Sequence, residues 1–414
     1  MVREKRYSNG LRVVVRQMPG LYSVTMGILV GTGGAMETDA EDGISHFIEH
    51  MQFKGTKKRN SFEISDAFDR IGAQVNAFTS KDTTCYYTKS TTDHAATAFE
   101  LLSDLFLNAT YPEDELEREK GVVCEEISMN EDSPEDLCLD LLAVATYGKR
   151  NYGRNILGPA SNVKGFTVED IKRYKNARYC PENIVISFAG GIDFDTAIAL
   201  VETHFNNLPK GNFEKRILTI EKTGESLVKQ KPIEQMHFAI SYPAISLFAE
   251  TDVPFSLMNN ILGGSMSSRL FQEVREKLGL AYSVYSYGSR YAECGSLNIY
   301  AGVNPAKAQS AYEAVDSVVA ELVKNGVTDA EFLRAREQMK SSILFGMESS
   351  STQMLTFGKE MLYRDRLYDV DARFEQLQSA TKAQVEESIE FAFSGKNGKK
   401  AVALVGNTDK PFDL

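Results

Sequence analysis

Paired cysteines are what this chain lacks first. Its five cysteines (Cys85, Cys124, Cys138, Cys180 and Cys294) form an odd set without a Cys-x-x-Cys spacing, which argues against a disulfide framework or a thiolate zinc site and leaves scattered reduced thiols in buried packing. Long apolar runs are missing as well. No stretch approaches the ~18 residues that a membrane helix needs, and Met1 to Arg6 leads into the strand-like Leu11 to Val15 without the apolar core of a signal peptide. The expectation is a cytoplasmic protein with no membrane partner. Basic charge is in deficit: 46 Lys and Arg stand against 57 Asp and Glu, a net charge of −11, which argues against nucleic acid as a partner. Low-complexity tracts are absent too, and with 43% apolar and 25% charged residues the whole chain is expected to fold.

What is present exceeds one core. A chain of 414 residues favours two domains. Alternation predicts strands over Leu11 to Val15, Tyr22 to Val30, Gln74 to Thr79 and Cys85 to Thr88, and a further strand over Ile184 to Ala189. Helical spacing of Ile44, Phe47, Ile48 and Met51 predicts a helix after Gly43. Another runs from Ala95 to Phe106, and Pro112 followed by three acidic residues opens a long one reaching about Asn130. The charged, weakly periodic segment 209–231 reads as a linker between an N-terminal domain, 1–208, and a C-terminal domain, 232–414.

The two halves repeat one another. A helix end, a glycine stop and an alternating strand occur at Asp69 to Phe78 and again at Glu276 to Tyr285, with Gly279 following Gly72 by 207 residues. Around that anchor the order of strands and helices recurs, and a long helix closes both sets, the second opening with the capping pattern Thr328-Asp329-Ala330-Glu331. The fold class expected is α+β: two homologous, duplicated domains, each an antiparallel-rich sheet packed against helices.

The chemistry gathers in His46-Phe47-Ile48-Glu49-His50. Histidines four apart share one helix face about one turn from each other and can bind one metal ion, while Glu49, between them, can take a proton from water without being a ligand. That combination suits zinc-assisted amide hydrolysis without a covalent intermediate. Only three other histidines exist, His94, His204 and His237, and none has a partner at ligand spacing. A third ligand belongs on the long acidic helix, where Glu119 and Glu126 lie two turns apart; spacing alone does not choose among Glu117, Glu119, Glu125 and Glu126.

The run His46 to Thr56, with Asn76-Ala77-Phe78-Thr79-Ser80, Glu117-Arg118-Glu119, Ile156-Leu157-Gly158 and Ser267 to Phe271, resembles the pitrilysin and insulinase family of zinc peptidases. It looks most like the beta subunit of mitochondrial processing peptidase and its short bacterial relatives. The resemblance covers nearly the whole chain and implies one Zn2+ per chain, held by His46, His50 and Glu126, with Glu49 as general base and Glu119 behind the ligands. It further implies that Asn76, Ala77 and Phe78 lie on an edge strand to which substrate adds. Arg275 and Tyr282 are implied to contact the carbonyl near the scissile bond. Four such domains enclose a chamber in the family, so a chain with two implies a homodimer acting on short or unfolded peptides, with Arg275 and Tyr282 facing the partner's zinc. The alternative is a non-catalytic scaffold member, as in the respiratory-complex core subunits, whose zinc motifs are degraded where this one is complete.

Overall fold

Nearly every position of Ser23–Val30 is apolar or small and the strand is buried on both faces, which places it inside a sheet rather than at its rim. In the computed structural model, which describes residues 1–206, 208–211, 213, 218–220, 223–408 and 412, this strand, β3, lies within a six-stranded sheet. Its companions are β1 (Val2–Arg6), β2 (Arg12–Gln17), β4 (Gln74–Thr79), β5 (Thr84–Thr91) and β6 (Ile184–Gly190), in the order β1-β2-β6-β3-β5-β4. All neighbours are antiparallel except β2 and β6. β4 is outermost, so among the described residues one of its backbone edges is left without a strand.

Helices alternate with these strands along the chain. α1 (Ile44–Met51) and α2 (Ser61–Arg70) follow β3, α3 (Ala95–Asn108) follows β5, and α4 (Glu113–Asp132), α5 (Pro134–Tyr147), α6 (Ala160–Gly165) and α7 (Val168–Arg178) precede β6, with α8 (Phe194–Phe205) after it. The main core joins Val24, Met26, Ile28, Ile186 and Phe188 of the sheet to Phe68 of α2, Phe99 and Phe106 of α3 and Phe205 of α8. Each such side chain, fully buried, contributes roughly 1.5–3 kcal/mol of hydrophobic transfer.

The second sheet repeats the first. It is built from β7 (Ser226–Gln230), β8 (Met236–Ala244), β9 (Ala281–Arg290), β10 (Gly295–Val303) and β11 (Ala401–Gly406) in the order β7-β11-β8-β10-β9. β7 and β11 are parallel and the other junctions antiparallel, the same sequence of senses that runs from β2 through β6, β3 and β5 to β4. The anchor glycines match in conformation also: Gly72 has φ +61° and Gly279 has φ +59°, a left-handed turn that only glycine adopts freely. The later helices are α9 (Asp252–Leu262), α10 (Ala308–Asn325), α11 (Asp329–Glu348), α12 (Ser350–Arg364), α13 (Val370–Ser379) and α14 (Lys382–Phe393), and Phe271–Lys277 forms a π-helix.

The compact units differ from the sequence halves 1–208 and 232–414. One unit comprises Met1–Ile127, Asn155–Ile217 and Leu344–Asp369, and the other Ser128–Arg154, Leu218–Ile343 and Val370–Leu414. α5 therefore packs on β8 and β11, where Cys138 and Leu142 meet Ala239, Ala403 and Val405. α12 packs on β3 and β6, where Met354 meets Leu29 and Ala189. Parts of the expected linker, 209–231, fall outside the described residues, namely 212, 214–217, 221 and 222. Its last part is not linker but strand β7, which pairs with β11 through its backbone while its side chains stay largely exposed. Among the described residues no disulfide joins any of the five cysteines, and no described helix is long and apolar enough to cross a membrane.

Candidate metal centre

α1 buries Ile44, Phe47, Ile48 and Met51 against Leu116 and Val123 of α4 and Ile171 and Tyr174 of α7. That fixes its roll and leaves His46, Glu49 and His50 on the remaining surface. The helix begins at Gly43, with φ +96°, where a Cβ would stand 2.6 Å from the Leu157 carbonyl oxygen, so no side chain can cap the helix from this position. Glu37 does so instead. Buried completely, it accepts the backbone N–H groups of Gly43 and Ser45, both at 2.8 Å.

The long helix α4 brings the acids. Glu126 Oε2 lies 3.6 Å from His46 Nε2 and 3.4 Å from His50 Nε2, and one donor atom from each of the three residues falls within 4.8 Å of the others. Tetrahedral ligands about 2.1 Å from a common ion stand about 3.4 Å apart, so two imidazole nitrogens and a carboxylate oxygen fit zinc in kind and in spacing. Glu119, two turns before Glu126 and nearly buried, accepts from His50 Nδ1 at 3.1 Å and from Lys54 Nζ at 2.6 Å. This fixes the His50 ring so that Nε2 is turned toward Glu126. His46 Nδ1 is buried without a hydrogen-bond partner among the described residues, so only one of the two rings is held from behind.

Burial, with the neighbouring His50, pulls His46 down to about 4, which keeps it neutral and able to donate a lone pair at ordinary pH. Burial pulls His50 down as well, but the hydrogen bond to Glu119 and the charge of Glu126 outweigh it and the net direction is up. For Glu119, burial acts upward and is overcome by His50 and Lys54, so its carboxyl titrates below the usual range. Glu49 is raised, chiefly by burial; the hydroxyl of Thr79, which donates to its Oε2, opposes that shift.

Asn76, Ala77 and Phe78 lie on the outermost strand β4, opposite Tyr87, Tyr86 and Cys85 of β5. Thr79, the next residue, joins that strand to Glu49. Arg275 and Tyr282 belong to the other compact unit, Arg275 on the π-helix and Tyr282 on β9 with 79% of its surface exposed; the guanidinium carbon is 6.0 Å from the tyrosine ring centroid. The helix of the second half that corresponds to α1 is α9, and it contains neither histidine nor glutamate. His94, His204 and His237 are not part of the metal-ligating group, and His237 instead hydrogen-bonds Tyr300 at 2.7 Å.

Three residues around the centre carry no sequence signal of their role: Glu37, Lys54 and Thr79. Glu37 caps a helix whose N-cap, Gly43, lies six residues later, beyond the reach of the usual capping patterns. Thr79 is one more polar strand residue until the fold lays it against Glu49.

Comparison with known proteins agrees with this construction. Residues 12–160 match the family model described as insulinase (peptidase family M16), and residues 165–339 match that described as the peptidase M16 inactive domain. The Bacillus subtilis protein named uncharacterized zinc protease YmxG is 41% identical over 405 residues, covering 97% of this chain and 99% of that one. An uncharacterized zinc protease of Streptomyces coelicolor is 33% identical over 396 residues, covering 93% of this chain and 85% of its own. Among solved structures, the peptidase M16 inactive domain from Pseudomonas fluorescens superposes with a TM-score of 0.91 at 24% identity, covering all of both chains. A Helicobacter pylori protease does so with 0.90 at 23%, covering 98% of this chain and 99% of that one. At these identities the structures show a shared fold.

Proposed function

Because this chain belongs to the insulinase (M16) peptidase family, we propose that it is a zinc-dependent endopeptidase that hydrolyses short or unfolded peptides, with one Zn2+ held by His46, His50 and Glu126. The observation that carries this reading is the convergence of His46 Nε2, His50 Nε2 and Glu126 Oε2 beside a carboxylate that is not among them, Glu49. Bound zinc supplies Lewis acidity, polarising a carbonyl and acidifying water.

The chain's own residues supply the rest. Glu49 takes the proton of the attacking water and passes it to the leaving amine; its raised carboxyl brings it nearer the operating pH, which favours both transfers. Thr79 holds that carboxylate in place. Glu119 keeps the His50 ring oriented, and Lys54 keeps Glu119 charged. A substrate laid along β4 by main-chain hydrogen bonds to Asn76, Ala77 and Phe78 passes the turn where Thr79 meets Glu49, and such binding tolerates many sequences. Arg275 and Tyr282 donate to the carbonyl oxygen as it gains charge. In this reading they come from the second subunit of a homodimer whose four domains enclose the chamber, and the protein works in the cytoplasm.

The test is to load the purified chain with zinc, incubate it with a complex peptide mixture and map cut sites by mass spectrometry. Cleavage that a chelator abolishes and zinc restores is the expected result. A fully metallated protein that leaves every peptide intact contradicts the reading.

A further inference from the structure

The edge strand β4 presents two faces, and only one of them meets the metal ligands. Thr79 reaches Glu49 on the α1 side. Phe78, one residue earlier, points to the opposite side by the alternation of a strand, where it packs beside Tyr87 and against the cluster of Leu29, Cys85, Ala189 and Met354. Lys359 of α12 lays its ammonium over the Phe78 ring, 5.5 Å from the centroid.

That ammonium has an aromatic face beneath it and, among the described residues, no carboxylate within ion-pair distance. Among the described residues Lys359 makes no hydrogen bond or ion pair. Asp82 feels its charge, but Asp82 is only partly exposed and its Oδ1 already accepts the hydroxyls of Tyr363, at 2.8 Å, and Ser80, at 3.3 Å. A partly covered cation supported only by a ring retains unused donors, and a carboxylate arriving there gains a charge-assisted hydrogen bond that an amide does not match. A strand added in antiparallel fashion to β4 sets the residue opposite Phe78 with its Cβ about 4.5–5.5 Å from that of Phe78, on the same side as Lys359. The residues before and after it turn toward α1.

We propose that Lys359 and Phe78 form a specificity subsite that selects an acidic side chain at the substrate residue paired with Phe78, one position away from a residue that faces Glu49. This rests on the reading of β4 as the substrate-binding strand. The chain's net charge of −11 makes a general preference for basic peptides the default, so an acidic preference confined to one position discriminates between the two.

The experiment uses the zinc-loaded full-length protein and a peptide series built on one cleaved sequence, with Glu, Gln or Lys placed in turn at each position around the cut bond. At a single position Glu is expected to exceed Gln in kcat/KM by about fivefold, the scale of one partly exposed ion pair, with Lys lowest. K359E reverses the order at that position, and K359M removes the ranking without reversing it; zinc content stays unchanged in both. Identical rankings in the wild type and both variants, or no acidic preference at any position, overturn the subsite and leave the peptidase reading intact. If no cleaved sequence is found on which to build the series, the peptidase reading fails instead. The affinities of Glu and Gln peptides for E49Q, with and without K359E, then decide the subsite: equal affinities overturn it.

Discussion

The hydroxyl of Thr79 donates to the carboxylate of Glu49, so the last residue of the edge strand and the acid between the two histidines are held as one unit. Strand and helix are thereby coupled at the point where substrate and base would meet. The bond also affects the acidity of Glu49, because a donor favours the ionised carboxylate and offsets part of the upward push of burial.

Thr79→Val removes that donor while nearly keeping the shape. Glu49 then titrates higher, and the acidic limb of the kcat/KM profile moves to higher pH, since that profile reports the free enzyme's base. Zinc content is expected to stay the same. An acidic limb that does not move in T79V would show that the hydroxyl does not tune the base.

Glu119→Gln replaces the carboxylate that orients His50 and leaves Lys54 without its ion-pair partner. Affinity for zinc is expected to fall about 10- to 100-fold, measured by competition with a chromophoric chelator. Unchanged affinity would mean that the helix alone fixes the ring.

Glu37 is raised from its ordinary 4.5 to about 7, with burial the largest cause, even though the N–H groups of Gly43 and Ser45 and the Ser45 side chain pull it down. A carboxyl whose folded value lies above its unfolded one binds more protons in the folded state, so its contribution to stability declines as pH rises from about 4.5 to about 7. Glu37→Gln cannot titrate, so its stability lacks this pH dependence at position 37. The advantage of the wild type over E37Q, from urea unfolding of metal-free protein, is expected to be larger at pH 5 than at pH 8. An advantage that widens toward pH 8 would contradict this.

If Arg275 and Tyr282 serve the zinc of a partner subunit, two inactive variants complement each other. Mixed dimers of R275A and E49Q contain one centre with an intact base on one chain and an intact arginine on the other. Activity is expected to reappear on mixing. Heterodimers that form and stay inactive would exclude a shared site.

Much of this centre is legible in the order of residues. The alternation of Gln74 to Thr79 gives β4 to the residue, and the apolar spacing of Ile44, Phe47, Ile48 and Met51 places His46, Glu49 and His50 on the other side of α1. The choice of Glu126 over Glu117, Glu119 and Glu125 is not legible from spacing, because several acids on one helix differ only in what lies opposite them. Resemblance pointed to Glu126, and the fold sets its oxygen near both imidazoles. The exchange of α5 and α12 is hidden for a related reason: an apolar helix face specifies that it must be covered, not which of two similar sheets covers it. β7 reads as linker because its hold on β11 is a main-chain ladder, which leaves little trace in the side chains of Ser226–Gln230.

The most direct measurement is the pair of zinc content and peptide turnover for Glu49→Gln beside the wild type. Glu49 is not among the converging residues, so both the wild type and E49Q are expected to hold one zinc per chain, and E49Q to cut no peptide at a measurable rate. Turnover by E49Q equal to that of the wild type would remove the base from the reaction and with it the proposed chemistry.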